Sequence, residues 1–276
     1  MKSLLVPVDF SDNARDALRY ALAIASYCEY RIDCLHVTKI STRTHYLSTQ
    51  QIGELEQQAR LEAVKKLEAF IGEVVGTLAP GTTVRPVVRI GFAIEEIIAQ
   101  CLDDSYHAIV MGTKGVTNLR DKVLGTNTAN VVENVPIPVL TVPHGAQFRP
   151  VEHLTYVCNV EAVNLPAMGR LVTFAGALGA TLMLLHVDTA QEYSRQGASQ
   201  AMEQLVARAL NAEKLSVKVW AADSVVAGIA AFLQTDQDGL LAISLRDRGV
   251  FRKVFLTSVD DTMRARMNVP ILTLHA

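Results

Sequence analysis

The fold is decided by residues 107–142, which read HAIVMGTKGVTNLRDKVLGTNTANVVENVPIPVLTV. An uncharged apolar run over 108–111 leads into a glycine-containing loop, and a helical pattern over 125–134 precedes a second, mostly apolar run over 138–142. Strands without polar positions are typical of a sheet that helices cover on both faces. The order strand, loop, helix, strand therefore predicts one unit of a parallel α/β sheet.

The same alternation of strands and helices extends through the rest of the chain. Further strands are predicted at 3–8, 32–37, 83–88, 153–158, 181–187, 216–222, 240–244 and 270–274. Further helices are predicted from a Ser11 or Asp12 cap to about 28, and at about 48–77, 93–103, 163–178, 198–213, 225–234 and 257–267. The first helix carries an apolar stripe of Ala14, Leu18, Ala21, Leu22 and Ala25.

The two halves of the chain repeat one pattern. Residues 2–37 match 152–187 without a gap, so that Leu-His-Val occurs in both halves. Near the end of each half, the strand at 138–142 matches the strand at 270–274, in the same internal order. The repeat predicts two tandem doubly wound domains, each with a five-stranded, mainly parallel sheet and helices on both faces. Their predicted boundaries are 1–145 and 150–276, with a linker at about 143–151.

Composition narrows the classes of function. The 276 residues are 50% apolar and 20% charged, with a net charge of −2, which is typical of a globular protein without nucleic acid or anionic membrane as a partner. An apolar run long enough for a membrane span is missing, and Pro7 and Asp9 interrupt the short N-terminal run, so we expect a cytoplasmic protein. The cysteines form no C-x-x-C pair and the histidines show no metal-ligand spacing, so no metal site is predicted.

The loop after the fourth strand has the features of a phosphate cradle. Gly112-Thr113-Lys114-Gly115 is followed by nine residues and then by Gly125-Thr126-Asn127, which opens a helix. Gly112 and Gly115 let the backbone adopt positive φ and approach a ligand closely, and successive N–H groups there can form an anion nest. The amide groups at the start of the next helix favour an anion. A surface loop with ordinary capping residues is the alternative interpretation of this stretch.

This spacing resembles the G-x2-G-x9-G-[S/T]-x signature of ATP-binding members of the universal stress protein family. The resemblance also includes Val-Pro-Val-Asp at 6–9, Leu-His-Val at 35–37 and Gly-Phe-Ala-Ile at 91–94, and it extends over nearly the whole chain, once in each half. It implies an adenine nucleotide as ligand: ATP, with or without Mg²⁺. Motifs of P-loop NTPases, dinucleotide dehydrogenases, zinc proteases and α/β-hydrolases do not occur, and no catalytic residue is predicted.

The resemblance assigns roles by position. It implies an adenosine site formed by Pro7, Asp9, Val37, Met111 and Gly112. It also implies a phosphate site formed by Lys114, Gly115, Gly125, Thr126 and Asn127. Simpler roles stay open for some of these side chains. Asp9 could cap the following helix, Met111 could belong to the core, and Lys114 could be a solvated loop charge. His36 is interpreted as a satisfied histidine of the core or rim.

The second half departs from the signature. Ser244-Leu245-Arg246-Asp247 aligns with the first glycine turn, Thr257-Ser258-Val259 aligns with the last one, and Asn159 replaces Asp9. All three glycines are missing, and Asp247 would bring a carboxylate toward the phosphates. We therefore expect that the second half does not bind ATP in the ordinary way. The basic residues over 246–253 could accept another anion or could form a solvated loop.

The resemblance implies an ATP-binding stress-response protein that acts as a nucleotide sensor or scaffold for an unknown protein partner. A slow ATPase or adenylyl-transferring enzyme and a nucleotide-free interaction protein are the alternatives. Family members commonly dimerise through their last strands, which implies an intrachain pseudo-dimer with 138–142 beside 270–274. Whether two chains form a homodimer, and whether residues 40–60 form a lid or a plain helix start, stays open from the sequence.

Overall fold

The computed structural model describes residues 2–40, 47–76, 83–102, 106–113, 126–159, 165–189, 214–235, 239–245 and 269–275. The described residues divide into two compact units, with the boundary between Gly145 and Ala146. The predicted helices at 198–213 and 257–267 lie outside the described residues.

The first unit alternates strands and helices along the chain. Its elements are β1 (Ser3–Pro7), α1 (Asp12–Cys28), β2 (Arg31–Thr38), α2 (Thr49–Val75), β3 (Val84–Ile90), α3 (Ala93–Cys101), β4 (Tyr106–Gly112), α4 (Thr126–Asn134) and β5 (Val139–Val142). The strands are all parallel and lie in the order β3-β2-β1-β4-β5. The chain thus moves outward from β1 to β3 and then returns to the other side of β1.

That return places helices on both faces of the sheet. Parallel crossovers are right-handed, so the connections toward β3 and the connections toward β5 cover opposite faces. In agreement, α1 packs beside α2 and α3 packs beside α4. The strand order reverses between β1 and β4, which is where doubly wound sheets open a crevice for ligands.

The second unit has the same topology. Its elements are β6 (His153–Val157), α5 (Leu165–Ala177), β7 (Thr181–Asp188), β8 (Leu215–Ala221), α6 (Val225–Thr235), β9 (Gly239–Ser244) and β10 (Ile271–Leu274). These strands are parallel in the order β10-β9-β6-β7-β8, and the order reverses between β6 and β9. The predicted fold class is confirmed.

Capping residues define where the first two helices begin. Of the two predicted caps of α1, Ser11 is the N-cap, and its hydroxyl accepts a hydrogen bond from the backbone N–H of Ala14 (3.2 Å). The predicted apolar stripe of α1 is buried at Ala14, Leu18, Ala21, Leu22 and Ala25. Ser48 and Gln51 form a capping box that starts α2, so residues 49–60 belong to a long regular helix.

A polar network with a buried centre joins β2, β3, β4 and α3. Asp33 is 4% exposed, and its carboxylate accepts hydrogen bonds from the guanidinium of Arg85 and from the hydroxyl of Tyr106 (2.6 Å). The amide of Gln100 donates to the Tyr106 oxygen (2.9 Å), and Arg89 donates to Gln100 (2.8 Å). Because a buried carboxylate is costly without partners, the network offsets the burial of Asp33.

Candidate functional site

The carboxyl ends of β1, β2 and β4 meet at one edge of the first sheet. Leu5 of β1 lies beside Ile109 of β4, so Pro7 and Met111 are each two residues nearer the edge. Beyond β1, the backbone N–H of Val8 donates to the carbonyl of Leu35 (2.8 Å). The predicted adenosine-site residues of β1, β2 and β4 therefore come to the same edge, at the point where the strand order reverses.

Val37 directs its peptide groups toward the space beyond the end of β1. The Leu35 carbonyl faces β1, since it accepts from Val8, and the Thr38 carbonyl faces β3, since it accepts from the N–H of Gly91 (3.0 Å). Residues two apart in a strand share a side, so the peptide groups of Val37 face the same side as those of Leu35. β1 has already ended there, at Pro7. The edge thus leaves backbone donor and acceptor capacity next to Asp9.

Asp9 follows β1 with an exposed side chain. Its Oδ1 accepts a hydrogen bond from the backbone N–H of Ser11 (3.0 Å). Ser11, and not Asp9, caps α1. The carboxylate is therefore oriented by the turn while it remains at the surface of the edge, whereas Met111 is buried at 7% exposure.

Gly112 has a packing role that the sequence did not reveal. It is not among the glycines with positive φ, so this position does not use the left-handed backbone that glycine permits. A Cβ atom on Gly112 would lie 2.6 Å from the carbonyl carbon of Asn13, in the first turn of α1. Glycine is required there because the backbone of α1 passes directly over the end of β4.

The start of α4 is tied to the same strand end. The hydroxyl of buried Thr128 donates to the carbonyl of Gly112 (3.1 Å), so the first turn of α4 is held at the edge. Thr126 and Asn127 are exposed in that turn. Lys114, Gly115 and Gly125 lie outside the described residues. Sequence reasoning missed Thr128, although its position directly after the glycine-threonine-asparagine turn marks it as a first-turn polar residue.

Phe10 and His36 form a half-buried aromatic pair beside Asp9. Their ring centroids lie 4.3 Å apart, and Phe10 also meets the edge of Phe70 from α2 at 5.5 Å. Phe10 has a φ of 67°, which is rare for a bulky residue. Sequence reasoning missed Phe10. The available signal was the short Asp-Phe-Ser connection, in which one residue must reverse the chain between β1 and the cap of α1.

His36 bonds to the backbone of the same turn. Its Nδ1 lies 2.9 Å from the carbonyl oxygen of Val8, and since a carbonyl only accepts, Nδ1 carries the proton and donates. The equivalent His186 repeats this contact at a longer distance, with Nδ1 3.4 Å from the carbonyl of Cys158. The bond gives His36 a partner at the rim of the sheet.

The corresponding edge of the second unit has different chemistry. Asn159 is exposed after β6, and Ser244, at the place of Gly112, is only 7% exposed at the end of β9. Asp188 ends β7 at 4% exposure. The aligned residues Arg246, Asp247, Thr257 and Ser258 lie outside the described residues.

Two findings concern metals and membranes within the described part of the chain. That part holds no group of three or more histidine, cysteine, aspartate or glutamate residues arranged to bind a metal ion. A helix with the length and apolar character needed to cross a membrane is likewise not found there.

Comparison with known proteins identifies the family. The model of the universal stress protein family matches residues 1–143, which is half of the chain. The chain belongs to the universal stress protein family. The match confirms the family that the glycine spacing and the strand motifs predicted for this universal stress protein.

Individual relatives match one repeat or both. Universal stress protein MJ0577 of Methanocaldococcus jannaschii is 30% identical over 155 residues, covering 51% of this chain and 94% of the relative. Universal stress protein Slr1230 of Synechocystis is 22% identical over 295 residues and matches both chains over their full length. The crystal structure of a universal stress protein from Archaeoglobus fulgidus superposes with a TM-score of 0.65 at 17% identity, covering 99% of this chain and 96% of that one. The last match supports the fold of the whole chain.

Proposed function

We propose that this universal stress protein binds ATP at the carboxyl edge of its first unit and acts as a nucleotide-dependent sensor or scaffold. The observation that carries the proposal is the convergence of Asp9, Val37 and Gly112 where the strand order reverses between β1 and β4. Doubly wound sheets bind their ligands in that crevice. Membership in the family adds support for the same edge.

The chemistry of the edge suits an adenosine group. The exposed Asp9 carboxylate can accept hydrogen bonds from sugar hydroxyls. The peptide groups of Val37, which face the space beyond the end of β1, can pair with the polar edge of a base. Pro7 and buried Met111 supply apolar surface beside them. A short row of polar groups beside an apolar wall is the usual arrangement of a small-molecule site.

Phosphates would extend from the adenosine toward α4. The helix begins at Thr126, and its first amide groups carry the positive end of the helix dipole. In the sequence, Lys114 adds a positive charge, and Gly115 and Gly125 permit close backbone approach. In the sensor role, bound phosphates would contact the connection between β4 and α4 and alter the surface that a protein partner contacts.

Calorimetric titration of the full chain with ATP tests this assignment. Wild-type protein should bind, and Asp9→Ala should weaken binding by about tenfold or more, since a hydrogen bond to a charged group contributes roughly 1.5–3 kcal/mol. Asp9→Asn retains an acceptor for the Ser11 amide, so it separates the loss of charge from disruption of the turn. Asn159→Ala, at the equivalent position of the second unit, is the matched control and should bind like wild type.

Two results would contradict ATP binding at the first edge, and a third would contradict the sensor role. Wild-type protein that gives no heat and no thermal shift at millimolar ATP would favour the nucleotide-free interaction protein. Equal loss of binding in Asp9→Ala and Asn159→Ala would show that the ligand is not held at the first edge. Steady release of ADP or AMP, measured in the presence and absence of Mg²⁺, would replace the sensor by the enzymatic alternative.

A further inference from the structure

The turn that carries Asp9 is held in an unfavourable backbone conformation. Phe10, the next residue, has a φ of 67°, in the left-handed region that side chains with a Cβ rarely adopt. Such conformations persist only where the surrounding contacts determine them, and they cluster at ligand sites. The contacts of Phe10 therefore help to determine the conformation of the turn that carries Asp9.

Three side chains hold the Phe10 ring. His36 packs against it at 4.3 Å between centroids, Phe70 meets it edge to face at 5.5 Å, and the ammonium of Lys66 lies 4.2 Å from its centroid. These contacts combine aromatic packing with a cation–π interaction. Because Phe70 and Lys66 belong to α2 and His36 belongs to β2, the ring joins the turn to two different elements.

The other side of Asp9 is held as well. The Val8 carbonyl accepts from Nδ1 of His36 (2.9 Å), and the Val8 N–H donates to Leu35 (2.8 Å). The residue before Asp9 is thus fixed through its peptide groups, and the residue after it is fixed through its ring. His36 contributes to both contacts.

We propose that Phe10 and His36 are positioning residues that preset Asp9 for the nucleotide and thereby determine nucleotide affinity. The inference rests on the proposed function, since it concerns the same edge. A group that is fixed before binding loses less conformational freedom on binding, and this raises affinity without any contact to the ligand. The second repeat has the weaker arrangement, with His186 3.4 Å from its carbonyl partner and, in the sequence, Val160 in place of Phe10.

Matched substitutions separate the ring from the hydrogen bond. Phe10→Leu removes the aromatic ring, Phe10→Tyr retains it, and His36→Leu removes both contacts of the histidine. ATP affinity should fall by about tenfold in Phe10→Leu and His36→Leu, in keeping with the loss of roughly one hydrogen bond or aromatic contact, and should stay near wild type in Phe10→Tyr. His186→Leu, at the equivalent position of the second unit, should leave the affinity unchanged.

Amide hydrogen exchange at Ser11 supplies a readout that needs no ligand. The Ser11 N–H donates to Asp9 (3.0 Å), so its protection reports whether the carboxylate is held in place. Exchange should accelerate in Phe10→Leu and His36→Leu and not in Phe10→Tyr, with affinity and exchange measured below the melting temperature of each variant. If a leucine variant does not fold, His36→Asn takes its place. Asparagine keeps an amide donor for the Val8 carbonyl but removes the ring that packs against Phe10, so Ser11 exchange should accelerate.

The outcomes distinguish the two proposals. If wild-type protein binds ATP and the leucine variants keep both wild-type affinity and slow Ser11 exchange, the positioning role is wrong while the proposed function stands. A lower melting temperature with unchanged affinity would also overturn the positioning role, because the contacts would then be purely structural. If wild-type protein does not bind ATP, the proposed function fails, whatever the Ser11 exchange shows.

Discussion

At the scale of single residues, Gly112 shows how one missing side chain serves packing at the site. The backbone of Asn13 occupies the space that a Cβ on Gly112 would need, and the Gly112 carbonyl accepts from Thr128. Three segments, the end of β4 and the first turns of α1 and α4, therefore meet at this residue. The glycine spacing in the sequence pointed to this edge of the sheet, and the close contact that requires Gly112 is with the protein's own backbone.

We predict that Gly112→Ala destabilises the first unit by about 1–3 kcal/mol, because the added methyl group forces the start of α1 away from β4. Urea unfolding followed by circular dichroism measures the change. Gly72→Ala is the control: Gly72 lies in α2 with open space around it, so the substitution should stabilise by up to about 1 kcal/mol. A Gly112→Ala protein as stable as wild type would contradict this account of the glycine.

The role of a single residue can be predicted from the sequence only when its partners are close in the chain. The capping role of Ser11 depends on neighbours within three positions, and the sequence predicted it as one of two choices. The rigid setting of Phe10 depends on His36 and Phe70, which are distant in the chain. A contact of that kind becomes visible only once the sheet and α2 are assembled.

At the scale of elements, the network around buried Asp33 joins the edge strand β3 to the centre of the sheet. Periodicity predicted the strands and helices of the first unit to within a few residues, because their burial repeats along the chain. It did not predict this network. Asp33 interrupts an apolar strand, and its partners Arg85 and Tyr106 lie far away in the sequence.

Tyr106 makes the network sensitive to alkaline pH. Burial and the hydrogen bond to Asp33 raise the pKa of Tyr106 from 10.0 to about 12. Since the pKa is higher in the folded state, the stabilisation is complete below pH 10 and is lost as the pH rises from 10 toward 12. We predict that Tyr106→Phe lowers the free energy of unfolding by about 1–2 kcal/mol near pH 8.

The difference in free energy of unfolding between Tyr106→Phe and wild type should shrink as the pH rises from 10 toward 12. Chemical unfolding of both proteins at closely spaced pH values measures it, and the comparison removes the contribution of the other tyrosines. A difference that stays constant from pH 8 to about pH 11.5, or that widens, would show that the hydroxyl proton is not held as described.

At the scale of the whole molecule, two units share one topology and differ at the edge where a ligand would bind. The repeat in the sequence predicted the shared topology because matching apolar strands recur in one order. The difference is chemical: Asp9 and Gly112 of the first unit correspond to Asn159 and Ser244 of the second. Ser244 is buried where the first unit has the bare glycine backbone. The two units have therefore kept one topology while the chemistry of the edge differs between them.

The number of nucleotides bound per chain tests the central claim most directly. Equilibrium dialysis of the full chain against labelled ATP, at concentrations well above the dissociation constant, gives that number. We predict about one ATP per chain, lost in Gly115→Asp, which would add a carboxylate beside the phosphates, and kept when Ser258 is replaced by alanine. Binding of about two ATP per chain, or of none, would contradict the account.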